Sequence, residues 1–190
     1  MKHGATAERI LDAAQRLVQS RGFNGFSYAD IAEELGLRKA SLHYHFESKD
    51  VLGRALMARY RERFRAALAA IEGATSDARE RLRRYAKLYL SVLRNEDRMC
   101  LCGMLAADFT TLARPVRDEV RRFFDDNEAW LARVLETGRK AGRLAFKGPA
   151  AAEAVMLVSG LEGAMLVARS TRGARRFEET ARRLLASVGA

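Results

Sequence analysis

Twenty residues, Ser27 to Phe46, restrict the fold more than any other part of this chain. They read Ser-Tyr-Ala-Asp-Ile-Ala-Glu-Glu-Leu-Gly-Leu-Arg-Lys-Ala-Ser-Leu-His-Tyr-His-Phe. Ser27 is a helix-capping residue type, and Asp30 stands three positions on, where a capping box wants an acidic or amide side chain. Ile31 and Leu35 are four apart and share one helical face, while Ala32 leaves room for a crossing helix. Gly36 follows where the chain must leave that helix with a left-handed residue. Leu37 and Leu42 then anchor a second short helix, whose outer positions are Arg38, Lys39, Ser41, His43 and Tyr44. Donors, cations and an aromatic are the types that meet phosphates and base edges. The segment therefore predicts a helix-turn-helix whose second helix enters a DNA major groove.

The remainder reads as helix throughout. Residues 6–21 carry Ile10, Leu11, Ala14, Leu17 and Val18 on one stripe, and Gly22 ends the period. Phe23 and Phe26 suit the core of a three-helix unit. Ser48 is the expected cap of a long helix to about residue 72, followed by helices near 78–94, 116–140, 150–169 and 176–188, with a shorter apolar segment from Met99 to about Leu112 between the first two. Asn95-Glu-Asp-Arg98 predicts a polar turn, and Pro115 and Pro149 fall at helix boundaries. No strand-like alternation persists. The fold class expected is all-α, with a helix-turn-helix domain over 1–48 and a larger helical domain over 49–190. The helix near 150–169 is apolar on most sides, which implies a core position or a subunit contact. Its apolar run is read as too short for a membrane span.

Net charge is +10, yet the first 60 residues carry only +2, so the basic excess is not concentrated in the DNA-reading motif. Register, not charge, is the argument there. The N-terminus has no apolar signal-like core, and a cytoplasmic protein is expected. Cys100 and Cys102 are too few for a disulfide framework. A Gly-rich phosphate loop, a nucleophile elbow and a His/carboxylate metal set are all missing, so no enzyme, metal or cofactor is expected.

The runs Ala-Glu-Arg-Ile-Leu-Asp-Ala-Ala at 7–14, Gly22-Phe23, Ser27-Tyr-Ala-Asp-Ile-Ala, Leu35-Gly36-Leu37 and Leu42-His-Tyr-His-Phe-Glu-Ser-Lys-Asp-Val-Leu52 resemble the tetracycline-repressor (TetR) family of regulators. The match covers residues 7 to about 56. The segment Met99-Cys-Leu-Cys-Gly-Met-Leu resembles one branch with a cysteine-bearing stretch there. The resemblance implies an all-α homodimer, each N-terminal domain reading half of a palindromic double-stranded operator and each C-terminal domain holding a small-molecule effector. It places Lys39, Ala40 and His43 near base edges, and Ser27, Ser41, Tyr44 and Lys49 near phosphates. Many members have Tyr then His where this chain has His43 then Tyr44.

Tyr85, Tyr89, Cys102, Phe109, Phe124, Trp130 and Met165 are the candidate effector contacts, although aromatic and Met side chains at helical spacing equally suit plain core. A regulator released by a small molecule is the first expectation. The alternative is a repressor that senses oxidants or electrophiles through Cys100 or Cys102, against which stands ordinary packing of a small apolar side chain.

Overall fold

The computed structural model describes residues 4–95, 98–171 and 173–190; Glu96 and Asp97, within the turn expected at 95–98, lie outside them. Nine α-helices and one 3-10 turn make up the regular structure of the described residues, with no strand. They are α1 (Ala5–Arg21), α2 (Tyr28–Leu35), α3 (Lys39–His45), α4 (Lys49–Ala74), α5 (Ala78–Arg94), α6 (Leu101–Ala107), α7 (Arg114–Lys140), α8 (Ala150–Ser170) and α9 (Ala174–Ala186). The 3-10 turn is Phe109–Thr111. The apolar segment read at 99–112 is thus a short helix broken after Ala107 and followed by the 3-10 turn.

The chain forms two compact units: residues up to Glu62 together with Leu101–Arg121, and Arg63–Cys100 together with Arg122–Ala190. In the first, Ile10, Leu11, Val18, Ile31, Leu42, Phe46, Leu52 and Leu56 are buried with Leu101, Leu105 and Val116. Local chemistry sets the path of the chain around this core. Gly22 leaves α1 at φ 83° and Gly36 leaves α2 at φ 63°, both left-handed positions that favour glycine. Ser48 Oγ accepts from the Val51 N–H at 3.2 Å, which caps α4. The buried Tyr28 hydroxyl donates to the Phe46 carbonyl at 2.8 Å, tying the start of α2 to the end of α3. Burial, with Asp50 nearby, pushes the Tyr28 hydroxyl up to about 12, so it stays a donor. Gly53 lies so close to Phe23 that a Cβ there would sit 2.8 Å from its ring.

Asp108 explains the break after Ala107. Its Oδ2 accepts from the Phe23 N–H at 2.7 Å and from the Asn24 N–H at 3.4 Å. Asn24 Nδ2 donates to Thr111 Oγ1 at 2.8 Å. The turn between α1 and α2 is therefore closed by residues some 85 positions downstream. Arg59 fixes the outer side of α1, reaching Glu8 at 2.9 Å and Asp12 at 2.8 Å.

In the second unit, α8 packs against α5 and α9. Gly160 permits the contact with α9, since a Cβ there would meet Leu184 at 2.8 Å. The other face of α8 leaves Val155, Met156, Leu166 and Val167 exposed. The expectation that no apolar run matches a membrane span needs correction. Over its 21 residues α8 is long and apolar enough to cross one, because Ser159, Gly160 and Gly163 dilute the run without charging it.

Asp108→Ala removes a charged acceptor from two backbone N–H groups, a loss worth about 1.5–3 kcal/mol. Urea unfolding should show a lower midpoint at unchanged slope, with Asp108→Asn recovering part of the loss; a change under about 0.5 kcal/mol would sink the assignment.

Candidate functional site

The recognition helix is built from its N-terminal partner. Ser27 Oγ accepts from the Ala29 N–H at 3.2 Å, while the Asp30 carboxylate accepts from the Ser27 N–H at 2.8 Å and its hydroxyl at 2.7 Å. Those Ser27 hydrogen bonds hold the Asp30 carboxyl below the usual carboxylate range, and Arg21 adds to the effect. The capping box read from the sequence is present. Leu42 is fully buried at the centre of α3 and fixes the rotation of that short helix.

With Leu42 turned inward, Arg38, Lys39, Ala40, His43 and Tyr44 are exposed and Ser41 is half-buried. Tyr44 is 86 % exposed, unusual for a large aromatic with no partner in the fold to explain it. Among the described residues its ring neighbour is His45, edge-on at 5.2 Å. His43 packs at 4.8 Å from the Tyr28 ring, with Nδ1 3.1 Å from the Glu47 carbonyl oxygen. If Nδ1 carries the hydrogen, Nε2 of the neutral ring is the free acceptor.

Neighbouring charges are mostly spent on the fold. Arg16 pairs with Glu34, Arg21 with Asp30, and Arg59 with Glu8 and Asp12. Arg38 and Lys39 enter no ion pair among the described residues and remain available as cations. Lys49 is different. Its ammonium donates to the Phe26 carbonyl and lies 4.2 Å over the Phe26 ring and 4.8 Å over that of Phe23. Burial lowers its pKa despite Asp108, Asp30 and Asp50 nearby. A phosphate contact by Lys49 would require it to leave these partners.

The candidate effector residues divide between the units. Cys102 and Phe109 belong to the first: Cys102 is buried with its Sγ 3.9 Å from Met57 Sδ, and Phe109 lies 5.0 Å beneath the Arg121 guanidinium. Tyr85, Tyr89, Phe124, Trp130 and Met165 belong to the second. There Tyr85 stacks on Trp130 at 5.6 Å, and the Tyr85 and Tyr89 hydroxyls are 3.0 Å apart. Tyr85 also donates to Asn127 Oδ1 at 3.1 Å. Phe124 is half-buried against Phe123 at 5.5 Å, and Met165 is fully buried.

Four members of this cluster were not among the candidates: Phe64, which meets both tyrosines edge-on, Phe123, Asn127 and Glu162. One signal was available. Glu162 is an acid in the middle of an apolar run, Leu161-Glu-Gly-Ala-Met165. Cys100 is buried beside its carboxyl, which does not supply the positive charge that makes a thiol reactive.

Two stretches match family models: residues 10–56 match bacterial regulatory proteins of the tetR family, and residues 78–184 match the tetracyclin repressor-like C-terminal domain. The chain belongs to the tetR family. Among solved structures it is similar to a TetR-family transcriptional regulator from Agrobacterium tumefaciens, with 37% identity, a TM-score of 0.94 and 98% of each chain covered. It is 30% identical to the HTH-type transcriptional regulator LmrA of Bacillus subtilis over 75% of this chain and 76% of that one. With the HTH-type transcriptional repressor NemR of Escherichia coli it shares 27% identity, over 88% of this chain and 85% of NemR. This tetR-family chain is a helix-turn-helix transcriptional repressor of the ligand-responsive type.

Asp30 gives a test of the capping box. With its folded pKa depressed, its contribution to stability is present above the ordinary carboxylate pKa and is lost as pH falls through the lowered value. Ser27→Ala should move the Asp30 titration up toward the ordinary range in a carboxyl NMR experiment; an unchanged titration would show that Ser27 is not its main partner.

Proposed function

We propose that two copies of this chain bind a palindromic operator in the cytoplasm and repress transcription until a small molecule releases them. Residues 1–48 read the DNA, and residues 49–190 bind the effector and form the dimer. What carries the reading is the composition of the α3 surface: two unpaired cations, an exposed Tyr and an exposed His on a helix held by Leu42 and the capping box. Lys39, Ala40 and His43 meet base edges; Arg38, Ser41 and Tyr44 meet phosphates, as does Ser27 at the start of α2. Lys49 orders the loop before α2 and reaches a phosphate only by exchanging the Phe26 carbonyl for it.

The exposed stripe of α8 supports dimerisation, because large apolar side chains in one row are what a second copy would cover. Among the described residues, α8 leaves large apolar side chains open, while the exposed positions of α7 include Arg121, Arg122, Asp125 and Arg133. The dimer sets its two recognition helices about 34–36 Å apart, one DNA turn. Effector contacts come from Tyr85, Tyr89, Trp130 and Met165, with Phe124 at the edge of the cluster. Cys102 and Phe109, the remaining candidate effector contacts, lie in the first unit.

Operator footprinting tests the DNA face. Lys39→Ala with His43→Ala should abolish protection of a palindrome near the chain's own gene while leaving unfolding unchanged. Protection that survives in the double variant removes α3 from the reading. Binding should also weaken steeply with salt, since phosphate contacts dominate affinity. For the dimer, Leu166→Asp should yield a monomer in sedimentation and lower operator affinity; an unchanged dimer would move the interface off α8.

A further inference from the structure

Among the described residues of the second unit, Glu162 is a charged side chain that the packing does not explain. It sits in the middle of α8 with both carboxyl oxygens enclosed and no nitrogen or oxygen donor bonded to either. Its recorded polar neighbour is the Cys100 thiol, a weak donor. Burial pushes the carboxyl well above the usual range, and Cys100 adds to this. Native interiors seldom leave such a group without a strong partner.

The surroundings say what kind of partner fits. Burial pushes the Tyr85 and Tyr89 hydroxyls up, and the Glu162 charge raises both further, for Tyr89 after the effect of Tyr85. Their rings, with Phe64, Phe123 and Trp130, form an aromatic cluster joined at 5.1–6.4 Å between centroids. Trp130 Nε1 is also enclosed without a partner. Aromatic rings beside a single acid favour an organic cation, through ring faces and charge together. Burial favours the neutral acid while Glu162 has no strong partner, and a bound cation reverses this by offsetting the charge the carboxyl takes on as it ionises. A neutral alcohol or an anion offsets no such charge. A protonated amine supplies both the charge and N–H donors.

We propose that Glu162 and the Tyr85–Tyr89–Trp130 cluster recognise a protonated organic amine, the carboxylate accepting from its N–H groups and the rings covering its apolar body. This deepens the effector reading above and rests on it. A surface hollow of about 250 Å³ between α4 and α7 has Trp130 in its wall, the same indole that stacks on Tyr85.

The test titrates the full-length protein with tyramine, tryptamine, 2-phenylethylamine and spermidine, and with tyrosol, tryptophol, 2-phenylethanol, phenylacetate and indole-3-acetate. Calorimetry should find at least one amine that binds at least about tenfold tighter than its alcohol or acid counterpart. Glu162→Gln should weaken that amine by about tenfold or more while footprinting the operator normally. Glu162→Met, checked by circular dichroism, should fold, resist heat better than the native protein and bind no amine. Amine affinity that survives Glu162→Gln, an alcohol or acid that matches its amine, or failure of every amine to bind overturns the proposal. Operator release separates the two readings. A Glu162-dependent amine that leaves the operator bound upholds the site and refutes its role as effector. A neutral or anionic compound that releases the operator does the reverse.

Discussion

The carboxylate of Asp108 is the contact on which the DNA-reading unit depends. A turn between two short helices cannot satisfy its own backbone N–H groups, and α2 and α3, at eight and seven residues, are too short to be stable alone. Asp108 accepts from Phe23 and Asn24, and the same turn places Phe23 against Gly53 of α4. Any side chain at residue 53 would strike that ring, so α4 and the turn hold one another in a single relative position. The residues just after Cys100 thus belong structurally with the first sixty, although they lie far along the chain.

Charge serves order here before it serves recognition. Four arginine–carboxylate contacts involving Arg16, Arg21 and Arg59 brace α1 against its neighbours. The exposed pairs of Arg16 and Arg21 contribute little stability individually, while the Arg59 contacts are part-buried. Their effect is to leave Arg38 and Lys39 as the cations of the recognition helix, which is why a nearly charge-balanced segment can still present a positive face.

Features encoded over a few residues were legible in the sequence. The capping box at Ser27 and Asp30, the left-handed Gly22 and Gly36, the cap at Ser48 and most helix bounds each depend on neighbours within one turn of helix. The break after Ala107 was not legible, because Asp108 is drawn off by a turn some 85 residues earlier. The contacts of Lys49 with Phe23 and Phe26 were not legible for the same reason, since they lie outside its own helix. In the second unit, aromatic type found Tyr85, Tyr89 and Trp130 but could not separate them from Phe109, which the fold assigns to the other unit. Glu162 was visible as an acid among apolar neighbours, yet its isolation from donors emerges only from three-dimensional packing.

The exposure of Tyr44 and its neighbours carries a consequence for how such proteins diversify. Arg38, Lys39, Ala40 and Tyr44 are solvent-exposed, whereas Tyr28, Leu42 and Phe46 beneath them are buried. The positions proposed to meet DNA are thereby separated from those that hold the helix in place. Drift at the outer positions alters the surface offered to DNA without unfolding the helix, so a duplicated gene can change that surface in single steps.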